Sequence, residues 1–370
     1  MKKGLHLFFG GAIMKKNTVK GLADMRIHAD FVGGNITVER IEGNHVHVKN
    51  QLRNTGDDWF YWAFCVEGAA GQELTFHFER FRLGKFGPAV SHDFENWEWM
   101  GQKEGDSFTY RFGEDENCVY FAHHMLYPMH RFDDLIEKYH VEKKVFCQSG
   151  KGRNVPYITF GEGERAIILT ARHHACESTG DYVLEGVVAE LLQNPIPNTT
   201  VLVVPFMDYD GVVDGDQGKF RIPHDHNQDY EGDSIYPEIQ TMKKYATTHP
   251  VVVAFDFHSP WHEGGENDNL FIVEKGSDVQ VEAERAFARI LEEELTPDAM
   301  DFKAANNHPF MVTWNKGKKN FSFFMNSLKT CRASFAFETT YFGTPENQIS
   351  QAKLLAFGKC FAKAMHRFLK

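Results

Sequence analysis

The periodicity of this chain changes once, and that change constrains the fold more than any other feature of the sequence. From residue 26 to about 124, apolar and polar residues alternate with a period of two, and the apolar positions favour aromatic and β-branched side chains. Residues 35–48, 58–66, 72–81, 107–112 and 118–123 each read as strands. Gly33-Gly34, Gly43-Asn44, Gly56-Asp57 and the glycines at 68 and 71 punctuate them. Short strands without helices between them make an all-β sandwich. Beyond Tyr127 the pattern switches. Strands over 166–170, 200–205, 251–257, 269–273 and 333–339 now alternate with helices over 132–139, 181–192, 236–247, 278–294 and 349–368. Alternation of that kind builds a mostly parallel sheet covered by helices on both faces. The expected fold class is therefore α/β, with an all-β domain ahead of it. The boundary falls between Tyr127 and Gly150 and is drawn at 138, giving domains 1–138 and 139–370.

The length of 370 residues agrees with two cores rather than one. A net charge of −11 argues against a nucleic-acid partner, which calls for a basic face. The six cysteines are scattered and contain no Cys-x-x-Cys, so a disulfide framework or thiolate metal site is not expected. A reducing compartment, and so the cytoplasm, fits that usage. Lys2-Lys3 precede a short apolar stretch over 4–14 with no small-x-small cleavage pattern, so 1–24 reads as a leader rather than a signal peptide. No run of about 18 apolar residues exists to span a membrane. The sequence carries no signal for an oligomeric state. Trp59, Phe60, Tyr61, Trp62 and Phe64 could form a carbohydrate platform; a sandwich core with some burial at the domain interface is the simpler expectation.

Chemistry collects at three strand ends. The stretch Ala171-Arg172-His173-His174-Ala175-Cys176-Glu177 follows the apolar run 166–170 and precedes a helix. An imidazole at 174 and a carboxylate at 177 on such a turn can reach one divalent cation, and zinc accepts that mixture of ligands. His258 ends the strand 251–257, and Glu338 follows Phe335-Ala336-Phe337. A carboxylate there is costly unless it faces a cleft or a cation. The polar segment 207–230 lies between them and should sit beside the same rim.

With those residues in view, the chain resembles the zinc metallocarboxypeptidases, in the branch typified by the cytosolic carboxypeptidases, which place a β-sandwich before the catalytic domain. Asp58-Trp59-Phe60-Tyr61 and Gly152-Arg153-Asn154-Val155-Pro156 look like that branch's amino-terminal and linker patterns. Asp256-Phe257-His258, Phe337-Glu338-Thr339, Asp210-Gly211-Val212, Arg221 and Asp225-His226-Asn227 look like its other motifs. The resemblance implies a mixed, mostly parallel central sheet. It also implies one Zn2+ per chain on His174, Glu177 and His258, with water in the open position and His173 left out. By the same resemblance Glu338 is the general base, Arg221 stabilises the oxyanion, Asp225 orients His174, and Asn227 and Gln228 line the leaving-group side.

One position departs. The family's Asp-x-Asn-Arg reads here Asp225-His226-Asn227-Gln228, so an amide stands where an arginine grips a terminal carboxylate. Either the substrate is uncharged there, or Lys219, Lys316, Lys318 or Arg332 substitutes. No tyrosine shortly precedes Glu338, where the digestive relatives keep one. The functions to be distinguished are a carboxypeptidase acting on peptides, an esterase or deacylase acting on a small acylated substrate or carbohydrate, and a non-catalytic binding module.

Overall fold

The computed structural model describes residues 19–20 and 25–370. The expected leader thus lies outside the described residues, apart from Val19–Lys20, which pairs with Arg26 and Ile27. The amino-terminal strands form two sheets. One has six strands in the order Val19–Lys20, Arg26–His28, Ala63–Glu67, Cys118–Ala122, Ala89–Ser91, Glu98–Trp99; the other runs Thr37–Glu42, His45–Lys49, Glu73–His77, Ser107–Arg111. Trp62, Phe64, Phe76, Phe108 and Phe121 fill the space between them. The stretch expected as one strand over 35–48 is a hairpin, because Gly43 turns the chain at φ +61°. The ladder of the 58–66 run starts only at Ala63. Ahead of it, the backbone of Tyr61 bonds instead to the side chain of Gln217.

All five aromatic residues from Trp59 to Phe64 are at most 4% exposed, so they are core and no surface platform. Trp59, Phe60 and Tyr61 join the same apolar cluster as Ile167, Tyr182 and Phe257 of the following sheet and its helices. The two halves of the chain thus share a core.

The second half is built on a seven-stranded sheet in the order Lys144–Gln148, Asn154–Phe160, Thr199–Val204, Arg165–Ala171, Val251–His258, Ala333–Glu338, Phe271–Val273. The four strands from Thr199–Val204 to Ala333–Glu338 are parallel, and the flanking pairs are antiparallel. The sheet is mixed, as the resemblance implied. Alternate residues divide between its faces: Ile167, Leu169, Phe255, Phe257, Phe335 and Phe337 point one way, towards helices Thr179–Gln193, Asp278–Glu294 and Gln351–Phe368. Ala166, Ile168, Leu202, Val204 and Ala254 point the other way, towards Pro237–Thr248 and Phe321–Asn326. Both faces are covered, which is why the strands read as continuous apolar runs.

Candidate metal centre

The carboxyl ends of three neighbouring parallel strands meet at one rim. His258 is the last residue of its strand and pairs in register with Glu338, the last residue of the next. Ala171, which ends the strand on the other side, pairs with Phe257. The chain then turns at Arg172, which adopts φ +60°, a left-handed conformation that costs an ordinary residue of the order of 1 kcal/mol. The Arg172 side chain offsets that cost by donating to Ala175 O (2.7 Å) and Asp181 Oδ2 (3.0 Å). The turn brings His174 and Glu177 back over the strand ends.

There, His174 Nδ1 lies 3.0 Å from Glu177 Oε1 and 3.2 Å from His258 Nδ1. His258 Nδ1 is 2.8 Å from Glu177 Oε2. All three residues are buried. Each ring has a carboxylate behind it: Asp256 Oδ2 faces His258 Nε2, and Asp225 Oδ1 lies 3.5 Å from His174 Nε2. A carboxylate can only accept, so it holds the ring proton on Nε2 and leaves the Nδ1 lone pair pointing inward. Two such lone pairs and a carboxylate converging within about 3 Å have no mutual donor among them. They fit a divalent metal, and the three donor atoms lie within 4.8 Å of one another.

His173 does not compete for that place. Its Nδ1 bonds to Asp256 Oδ1 and its Nε2 to Tyr230 Oη, both at 2.8 Å. Glu338 is 8% exposed, and its Oε2 is buried without a hydrogen-bond partner. Burial pushes its pKa up, Glu177 adds to that, and the charges of His258 and Lys219 oppose it. An unpartnered buried carboxylate oxygen costs of the order of 1–3 kcal/mol, a burden usual at sites of chemistry.

Lys219 is the cation that reaches the cluster. Its Nζ donates to Glu177 Oε1 at 3.0 Å and lies 3.2 Å from His174 Nδ1, with the ring of Trp59 5.7 Å away. Burial pulls its pKa down, but the carboxylates of Glu177, Glu338 and Asp225 leave it raised overall. Asp225 is driven the other way, to about 2: burial raises it, and His174 and Lys219 outweigh that.

The segment 207–230 is no solvated loop. It contains the helix Tyr209–Asp214 and a short turn, His226–Gln228, and buries Asp208, Asp216, Gln217, Arg221 and Asp225. Arg221 donates to Asp208 Oδ2 from Nε (3.0 Å) and a terminal nitrogen (2.6 Å), and to Asp216 Oδ2 (3.2 Å). Asp208 and Asp216 thus hold the guanidinium of the arginine expected to face the oxyanion. Asn227 Oδ1 accepts from Phe321 N (3.2 Å), and half-buried Gln228 bonds through its backbone to Asp225. Arg332 donates to Phe368 O, at the opposite end of its strand from Glu338. Sequence reasoning assigned no role to Asp256, which the i, i+2 spacing before His258 places on the same strand face, or to Gln217. The amide of Gln217 clasps the Tyr61 backbone from both sides, at 2.9 Å each. It also donates to Gln51 O at 3.1 Å. Gly56 N donates to Phe220 O (2.8 Å), so the amino-terminal half grips the segment on both sides of Lys219.

No protein-family model matches the chain. An uncharacterised protein of Zymomonas mobilis is 32% identical over 182 residues, which is 45% of this chain and 47% of that one. Cytosolic carboxypeptidase 6 of Caenorhabditis elegans is 22% identical over 425 aligned positions, covering 97% of this chain and 90% of that protein. In the matches to the Zymomonas protein and to cytosolic carboxypeptidase 2 of Xenopus tropicalis, the chain spans less than half the length of the relative. A metallo-carboxypeptidase from Pseudomonas aeruginosa shares the fold, with a TM-score of 0.79 at 20% identity over 93% of this chain and 98% of that one. This chain is thus similar in sequence to cytosolic carboxypeptidases and shares the fold of the metallo-carboxypeptidases.

Proposed function

We propose that the chain is a zinc-dependent hydrolase of the carboxypeptidase kind, acting on a peptide-type carbonyl. The observation that carries this reading is the convergence of His174, Glu177 and His258, each ring backed by a carboxylate, beside an unpartnered Glu338. His174 Nδ1, His258 Nδ1 and the Glu177 carboxylate would hold the ion. Bound there, zinc supplies Lewis acidity towards the carbonyl and a lowered pKa for water. Glu338 takes the proton of the attacking water and returns it to the leaving group, work worth roughly 10²- to 10⁴-fold in rate. Asp225 and Asp256 fix the tautomers of the two rings. The hydrolytic residues all come from the domain 139–370, and the amino-terminal domain 1–138 supports them. The scattered cysteines, without a Cys-x-x-Cys, support a reducing, cytoplasmic setting.

Gln228 favours a second reading, an esterase or deacylase whose substrate lacks a terminal carboxylate. The test is hydrolysis across a panel of blocked peptides, acylated amino acids and acylated or methyl-esterified sugars, with zinc content measured in parallel. The expected result is about one zinc per chain and turnover that Glu338→Gln abolishes without loss of metal. A Glu338→Gln protein as active as its parent overturns the proposal.

A further inference from the structure

The hydrolysis proposed above develops a negative charge on the carbonyl oxygen, and the expected donor, Arg221, is occupied by Asp208 and Asp216. Lys219 is placed differently. Gly218, at φ +76°, lies so close to the His174 turn that a Cβ on it would sit 2.0 Å from Ala175 N and 2.9 Å from His174 C. Any other residue would push the segment off the turn. The close approach hands the next side chain straight to the ligand triad. Its ammonium lies within hydrogen-bond reach of two of the donor atoms, 3.0 Å from Glu177 Oε1 and 3.2 Å from His174 Nδ1, with its side chain 23% exposed. On the far side the position is fixed by Gln217 on Tyr61 and by Phe220 on Gly56.

We propose that Lys219 is a catalytic residue of this site, its ammonium donating to the oxygen of the attacked carbonyl. The inference rests on the hydrolase reading. The oxygen of water bonds to the carbonyl carbon while its proton passes to Glu338. The carbonyl π pair moves onto oxygen, facing the Lys219 ammonium. On collapse the carbon–oxygen double bond re-forms, the bond to the leaving amine or alkoxide breaks, and Glu338 returns the proton to that group. Lysine brings a compact point charge where arginine would bring a planar fork. It can therefore follow the oxygen from a trigonal to a tetrahedral position while remaining tethered beside Glu177.

The test uses Lys219→Met and Lys219→Arg in the full chain, with the best substrate of the panel above and its phosphonate analogue, a stable tetrahedral anion. Lys219→Met is expected to lower kcat about 10²- to 10³-fold with KM within about threefold, since the donor acts on charge that develops only in the transition state. Calorimetry should show the phosphonate binding zinc-loaded Lys219→Met at least about 30-fold more weakly, with partial recovery in Lys219→Arg. Chelator competition should show zinc held more tightly by Lys219→Met, because a cation beside the metal has been removed. Weaker zinc binding in Lys219→Met would make the lysine a brace for Glu177 and overturn the proposal. So would unchanged kcat and phosphonate affinity in a background where Glu338→Gln is dead, and the hydrolase reading would then survive without Lys219. An active Glu338→Gln would sink the hydrolase reading itself.

Discussion

A single carboxylate, that of Asp256, serves two histidines: His258 donates to Oδ2 from Nε2, and His173 donates to Oδ1 from Nδ1 at 2.8 Å. Thr170 Oγ1 donates to Oδ1 as well, at 2.8 Å. Asp256 and His258 share a strand face, so the ring is aimed by a neighbour whose distance the strand itself sets. Only one of the two histidines faces the ligand cluster, and they differ in what their loss should do.

Asp256→Asn should weaken zinc binding by roughly 10- to 100-fold, as loss of the outer partner of a ligating histidine does. The amide keeps the shape but offers an N–H to one of the two rings, and it no longer holds both protons outward. Chelator competition on the purified variant measures it. Undiminished affinity would show that His258 is aimed by packing alone.

His174→Ala and His258→Ala should each lose the metal, and His173→Ala should keep it. The penalty of His173→Ala falls on the fold, because Asp256 and Tyr230 each lose a buried partner. A loss of about 2–4 kcal/mol is expected. Metal analysis combined with denaturant unfolding separates the two outcomes, and a zinc-free His173→Ala would mean that the ligand set has been misassigned.

On the resemblance set out above, Gln228 stands where the family's arginine grips a terminal carboxylate. Gln228→Arg should therefore raise kcat/KM for a blocked dipeptide with a free carboxyl terminus relative to its amide, and lower the rate on the native substrate. Should the parent enzyme already favour the free acid by about 10² or more, another cation binds the carboxylate and the esterase reading loses its main support.

Glu238 gives a prediction of pH dependence away from the metal. It is 2% exposed, and its pKa is pushed up to about 7, first by burial and then by Asp208 and Asp210. The folded chain keeps this proton up to about pH 7, whereas the unfolded chain releases it near 4.5. Between those values the folded state binds more protons, so this contribution is fully present below about pH 4.5 and is lost as pH rises through 7. Glu238→Gln should flatten that decline. It should add up to roughly 3 kcal/mol at about pH 8 and nothing at about pH 4.5, read from urea unfolding at both pH values. Equal effects at the two pH values would contradict the assignment.

What the sequence made legible follows from what its patterns encode. His258 and Glu338 could be placed at strand ends because apolar runs stop at them, and the two proved to be register partners. The hairpin at Gly43, expected as one strand, and the shared face of Asp256 and His258, given no role beforehand, are also matters of local geometry. Lys219 and Gln217 lie in a polar, aperiodic segment, and their positions depend on contacts with Glu177 and Tyr61, far away in the chain. The same applies to Arg221, whose partners Asp208 and Asp216 look like loop acids until the fold buries them. No periodicity records a contact of that kind.

The clasp between Gln217 and Tyr61 gives the amino-terminal sheets a purpose that needs no ligand of their own. They work as a splint. On the proposed mechanism the reacting groups belong to the second half of the chain, but the alignment of one of them is imposed from outside it. Selection on turnover would then act on residues that never meet substrate, among them Gln51, Gly56 and Tyr61. Grafting another sandwich onto this catalytic half, however stable the product, would yield a protein that holds its metal and works poorly.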